Sequence, residues 1–201
     1  MDLDTLELST GADPVASIIW MHGLGADAHD FEPVVPMLAL DAPRAVRYVF
    51  PNAPLRPVTI NGGMRMRAWY DIRDFDINTR GDLEGLRESA DAVVRLIETE
   101  QSSGFPAERI FLAGFSQGGA MALYTALRQP EPLAGIIALS CYLPEPDSLA
   151  DEMPDANRDV PIFMAHGDLD PVVAPALGRM SCERLQAVGC QVSWHTYAMP
   201  H

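Results

Sequence analysis

The chain is poor in basic residues and in cysteine, and it has no long apolar run. Lysine and arginine together number 14 against 28 aspartates and glutamates, a formal net charge of −14. A field of that sign repels polyanions, so nucleic acid and anionic membranes are disfavoured partners. The densest basic stretch, Arg65, Arg67 and Arg73, has Asp71 and Asp74 interleaved and reads as a solvated loop. Three cysteines, Cys141, Cys182 and Cys190, lack C-x-x-C spacing, which argues against a disulfide framework and a zinc site and suits reduced thiols. Cys141 reads as a small, half-buried residue. The longest apolar runs, at 18–21 and 135–139, have strand length, well short of a bilayer span. The acidic start M-D-L-D-T-L-E-L-S-T has neither the basic nor the apolar region of a secretory signal. A soluble, cytoplasmic protein is the expectation.

What is present suits one domain over residues 1–201, with 48% hydrophobic and 21% charged residues behind a single core. Short apolar runs at 17–21, 46–50, 110–113, 135–139, 162–165 and 192–197 alternate with helical stretches. That rhythm predicts an α/β fold with a mainly parallel sheet. Residues 3–8 alternate apolar and polar and predict an added edge strand. Residues 83–101 place Leu83, Leu86, Ala90, Val93, Val94 and Ile97 on one helical face. A second helix starts at Gln117 and stops before Pro130. A third spans 175–188, with Leu177, Met180, Leu185 and Val188 inward and Gly189 ending it. Two stretches rich in proline and glycine, 51–70 and 141–160, read as long loops after strand ends, where function concentrates.

The strand R-I-F-L-A runs into Gly114-Phe115-Ser116-Gln117-Gly118-Gly119, a G-x-S-x-G in the strand–turn–helix setting that such a motif requires. Flanking glycines keep β-carbons out of a sharp turn that lifts the serine hydroxyl above the sheet. The Gln117 N–H at the helix start is free to meet negative charge. A serine hydroxyl needs a base within hydrogen-bond reach, itself oriented by an acid. The strand P-I-F-M-A ends in His166-Gly167-Asp168-Leu169-Asp170, and spacing leaves Asp168 and Asp170 equal as the acid, the other serving the turn. Of the histidines that follow, His195 sits mid-strand as a half-buried polar residue. His201 lies beyond the strand, at the edge where Ser116 and the aspartates fall, and is the candidate base. A second oxyanion donor is expected after an early strand, where His22-Gly23-Leu24-Gly25-Ala26-Asp27 can point an amide at the site. His22 reads as a brace for that loop by hydrogen bonding rather than as a metal ligand.

Together W-M-H-G-L-G-A-D, F-P-N-A-P, R-P-V-T-I-N-G-G, A-W-Y-D-I, G-F-S-Q-G-G-A-M, H-G-D-L-D-P-V-V and Y-A-M-P-H span nearly the whole chain. They resemble the small carboxylesterases and acyl-protein thioesterases of the α/β-hydrolase superfamily, the bacterial carboxylesterases most. The resemblance implies the α/β-hydrolase fold, a mostly parallel doubly wound sheet flanked by helices. It implies Ser116 as nucleophile, Asp170 rather than Asp168 as acid, His201 as base, and the backbone N–H groups of Leu24 and Gln117 as oxyanion donors. It also implies an acyl pocket beside the loop tip from Ile60 to Met64. Similar proteins continue past this histidine into a final helix, which the chain as given lacks.

Without a large insertion no separate lid domain is expected, and Leu24, Ile60, Met64, Leu143 and Val173 are the candidate acyl contacts. The expected function is a serine carboxylesterase working through an acyl-enzyme on a small ester, with no cofactor and no metal. A thioesterase acting on acylated proteins or small thiols is the alternative within enzymes. An inactive hydrolase fold that binds an acyl ligand is the alternative outside them. A homodimer is compatible with the resemblance alone.

Overall fold

Alternation in the apolar runs becomes pairing in the folded chain, where each strand turns one set of side chains to a helical layer. The structure is a computed structural model that describes residues 2–38, 44–73 and 81–201; Asp74 lies outside the described residues. In chain order the elements are β1 (Thr5–Ser9), β2 (Pro14–Met21), β3 (Ala45–Pro51), β4 (Leu55–Val58) and β5 (Met64–Arg67). There follow α1 (Leu83–Ser102), β6 (Ile110–Phe115), α2 (Gln117–Ala126), β7 (Gly135–Leu139) and α3 (Leu149–Glu152). The last are β8 (Ile162–Gly167), α4 (Pro175–Ala187) and β9 (Val192–Tyr197).

Seven strands make one sheet in the order β1-β3-β2-β6-β7-β8-β9. β1 is the antiparallel edge strand and every other pair is parallel. Ile19, Leu112, Ile136, Ile162 and Val192 lie side by side in register across five strands. That row faces α1, α2 and α4, which contribute Leu86, Val93, Leu123 and Leu185 to the same core. Leu123 is wholly buried, which stabilises the fold by about 2 kcal/mol relative to an exposed leucine. The opposite face holds Trp20, Tyr48 and Phe50, backed by the 3-10 turn Glu32–Leu38 through Val35.

α1 begins where the Asp82 carboxylate accepts the Gly85 N–H at 3.1 Å. Near its other end the buried Glu100 carboxylate accepts from the Ser17 hydroxyl at 2.6 Å and from Arg47 Nε at 3.0 Å, tying the helix to β2 and β3. A carboxylate so deep is tolerable only with such partners.

Several expectations change in the folded chain. The stretch 51–70 is not all loop, because β4 and β5 pair as an antiparallel hairpin turning at Gly62-Gly63, both with positive φ. Within it Arg67 is not simply solvated: its Nη1 donates to the Ala53 carbonyl at 3.0 Å. The stretch 141–160 contains α3 and the 3-10 turn Asp155–Asp159. Met180 is 48% exposed, and the inward face of α4 is carried instead by Gly178, Ser181, Cys182 and Leu185. Cys141 is fully buried against Gly119, and burial pushes its thiol pKa far up, which leaves it unreactive. His195 is exposed rather than half-buried, stacked on Phe163 and hydrogen-bonded to the Ser193 hydroxyl at 2.8 Å.

Candidate active site

Parallel strands present their carboxyl ends on one edge, and loops leaving that edge can converge. Ser116 follows β6 directly and adopts φ 53° and ψ −120°, a conformation that L-residues avoid, at the cap position of α2. The turn is possible because nothing branches on either side of it. A β-carbon at Gly114 would come within 2.2 Å of the Gly118 backbone, and one at Gly118 within 2.2 Å of the Met21 carbonyl oxygen. Strand, elbow and helix therefore touch through bare backbone.

Asp170 closes the turn after β8 and is 6% exposed. Its Oδ1 accepts the N–H groups of Val172 and Val173 at 2.8 and 2.9 Å, and its Oδ2 meets His201 Nδ1 at 2.6 Å. Burial works to raise its pKa, but the bonds from His201 and from the two amides outweigh it and hold the carboxyl below its ordinary value. The turn bonds expected of the other aspartate thus come from Asp170 itself. Asp168 is exposed, and its backbone N–H donates to the Tyr197 carbonyl at 2.8 Å.

His201 reaches this carboxylate because its loop crosses Gly167 closely, where a β-carbon would lie 2.3 Å from the Met199 carbonyl. The imidazole ring packs on Phe115, the neighbour of Ser116, with centroids 4.6 Å apart. The 2.6 Å contact makes Nδ1 the donor and leaves Nε2 available as a base. Neither Nε2 nor the Ser116 hydroxyl takes a hydrogen bond from the other described residues, and such contacts tighten when substrate binds.

The loop after β2 lies against the elbow: a β-carbon on Gly23 would be 3.5 Å from that of Ser116. His22 braces the loop as expected. Its Nδ1 meets the Gly23 carbonyl at 2.7 Å and its Nε2 accepts the Ala53 N–H at 3.0 Å. Burial lowers its pKa and keeps the ring neutral near pH 7. Within the turn Gly25 donates to Arg67 and Ala26 to Gly23, while no described acceptor takes the N–H of Leu24 or of Gln117. The arrangement offers two unpaired donors beside a serine hydroxyl and an imidazole held by a carboxylate, which is the equipment acyl transfer needs.

The candidate acyl contacts differ in exposure. Leu24 and Ile60 are partly buried and Met64 is 64% exposed on the hairpin, whereas Leu143 and Val173 are buried at 5% and 9%. Leu143 belongs to the main core, and its N–H donates to the Ser181 hydroxyl at 2.8 Å.

Three further residues support the site without having stood out in the sequence. The Gln117 side chain clamps the backbone of the Trp69-Tyr70 pair, accepting the Trp69 N–H and donating to the Tyr70 carbonyl, both at 2.8 Å. Trp69 Nε1 in turn donates to the His22 carbonyl at 2.9 Å. His166 Nε2 bonds the Val173 carbonyl at 2.9 Å and lies 3.3 Å from Asp170 Oδ2. The signal for it was its place four residues before Asp170. For Trp69 and Tyr70 only the A-W-Y-D-I motif pointed there. Among the described residues no cluster of histidine, cysteine, aspartate or glutamate could hold a metal ion.

The chain is similar to known proteins in sequence and in fold. The chain is 38% identical over 207 aligned positions to an acyl-protein thioesterase 1 of Mycosarcoma maydis, covering 96% of this chain and 86% of that one. The crystal structure of SOBER1 from Arabidopsis thaliana superposes with a TM-score of 0.87 at 30% identity, over 92% of this chain and 90% of the other. That of acyl-protein thioesterase 2 from Zea mays gives 0.86 at 28% identity, over 98% and 91%. Residues 6–201 match the Phospholipase/Carboxylesterase family, and with a sheet, elbow and loop order of this kind the chain belongs to that family of α/β-hydrolases.

Proposed function

We propose that this hydrolase is a serine carboxylesterase that works through an acyl-enzyme. Ser116 Oγ attacks the acyl carbon as its proton passes to His201 Nε2. Asp170 holds the imidazole in the Nδ1–H tautomer and stabilises the imidazolium. The N–H groups of Leu24 and Gln117 take the negative charge on the carbonyl oxygen. The imidazolium then gives its proton to the departing alcohol, and water repeats the sequence on the acyl-enzyme. No cofactor enters any step. The observation that carries this reading is the 2.6 Å contact between Asp170 and His201 at the sheet edge where Ser116 occupies its strained turn. Three free, buried cysteines support work in a reducing cytoplasm.

A fluorophosphonate probe tests the reading: it should modify Ser116 alone and abolish hydrolysis of short p-nitrophenyl esters, and Ser116→Ala should resist it. A folded protein that stays unlabelled would favour the acyl-binding role. The likeness to acyl-protein thioesterases supports a second reading, in which the acyl group leaves a thiol. The ratio of kcat/KM for short-chain esters to that for long-chain acyl thioesters separates the two.

A further inference from the structure

The hydrogen bonds of His22 do more than brace a loop. The Gly23 carbonyl can only accept, and the Ala53 N–H can only donate. An imidazole between them at 2.7 and 3.0 Å must carry its proton on Nδ1 and a lone pair on Nε2. Its burial, 1% exposed, and its lowered pKa agree with that neutral form.

The carbonyl so held belongs to the same peptide unit as the Leu24 N–H. A trans peptide is planar, and its C=O and N–H point in opposite directions. Drawing the Gly23 oxygen to the imidazole therefore turns the Leu24 N–H away from it. That amide is without a described acceptor, on a loop whose Gly23 lies against Ser116. The Ala26 N–H reaches the same carbonyl only at 3.3 Å. Gly23, which precedes the peptide, leaves its ψ free to turn, so the shorter imidazole bond is the stronger hold on this orientation. Glycine tolerates both faces of a peptide flip. A flipped unit would put a carbonyl oxygen where negative charge develops.

Resting on the acyl-enzyme reading above, we propose that His22 is a positioning residue for catalysis. Its Nδ1–H locks the Gly23-Leu24 peptide so that the Leu24 amide stays aimed at the oxyanion. The bond to Ala53 serves a different end, tying the loop to the chain after β3.

Two substitutions in the full chain separate these bonds. In His22→Asn the amide nitrogen falls near the position of Nδ1 and can still donate to Gly23. In His22→Gln the amide falls near Nε2 and keeps only the Ala53 contact. A fully lost oxyanion donor costs about 10²–10³-fold in kcat, so His22→Gln should lose about 10–100-fold in kcat with KM within about threefold. His22→Asn should stay within about fivefold of the parent by the same reasoning. Affinity for an alkyl boronic acid should follow kcat across the set. Equal kcat losses in both variants, or a loss carried by KM, would overturn the proposal.

Nitrogen-15 NMR of the parent protein supplies an arm that needs no turnover. Protonated Nδ1 with acceptor Nε2 at His22 is the expected result, and the Nε2–H tautomer would overturn the lock. A parent protein that hydrolyses no ester would count against the acyl-enzyme reading, with the tautomer still decided by NMR.

Discussion

At the residue scale the site depends on which atom of each group is already committed. Asp170 Oδ1 is held as an acceptor by two backbone N–H groups, so only Oδ2 faces His201. In Asp170→Asn the amide oxygen would keep the Oδ1 position, and the NH2 group would turn to His201 Nδ1. Two donors cannot share that contact, so the imidazole would adopt the wrong tautomer, with Nε2 protonated and unable to act as base. The expected loss is about 10³–10⁴-fold in kcat with folding preserved, measured by ester hydrolysis and by the rate of fluorophosphonate labelling. A loss smaller than tenfold would show that His201 does not depend on this carboxylate. The choice between Asp168 and Asp170 was illegible in spacing. Both follow the same strand within three residues, and only the fold shows that Asp168 faces solvent while Asp170 turns under the His201 loop.

At the scale of elements the elbow is a meeting of three backbones. Gly118 approaches both Met21 and His22 carbonyls, so β2, β6 and α2 close on one another only if no β-carbon intervenes. Gly118→Ala should therefore push the loop after β2 off the elbow, at a cost of several kcal/mol, about 5–10 °C in Tm. Calorimetry with a labelling assay would check it, and a Tm within 2 °C of the parent would contradict the packing argument. The G-x-S-x-G motif was readable because it is local: strand, turn and helix follow in sequence. The β4–β5 hairpin was not, since Pro54 and Pro57 punctuate it as a loop. Its pairing is sustained by tertiary contacts, among them the Gly25 N–H on the Arg67 carbonyl at 2.9 Å. Met180 was placed inward by helical period alone, but α4 rests on the sheet through small residues. Gly178 lies so near His166 and Trp194 that a β-carbon there would sit 2.5 Å from the His166 ring.

At the scale of the whole molecule the charge balance sets the response to acid. The chain contains no lysine, so all 14 of its basic side chains are arginines, which stay charged across the accessible range. Asp71, Glu152 and Asp170 all have lowered pKa values. Burial opposes each shift. It is outweighed by Thr59 and Arg73 at Asp71, by Arg128 and Ser148 at Glu152, and by His201 and two amides at Asp170. A carboxylate depressed in the native state binds fewer protons than it does in the unfolded chain. Its stabilisation is complete above the unfolded pKa of about 4 and is lost as pH falls through the native value. The urea midpoint should thus decline from about pH 5 downward, and Glu152→Gln should show a shallower decline than the parent. A parent midpoint unchanged between pH 5 and 3 would refute the assignment.

By itself the sequence determined the strand rhythm, the elbow at Ser116 and the glycine-flanked loop at Leu24. Those features are written in neighbouring residues, through side-chain periodicity and the need for bare backbone. It also placed His201 past the last strand, at the edge where the elbow lies. Tertiary structure decided what residue spacing left open: that His201 meets Asp170, as the family resemblance implied, that Gln117 clamps Trp69 and Tyr70, and that His22 holds its proton on Nδ1. Each of these is a hydrogen bond or a peptide orientation set by loops brought to one sheet edge. Its geometry exists only after seven strands have come into register.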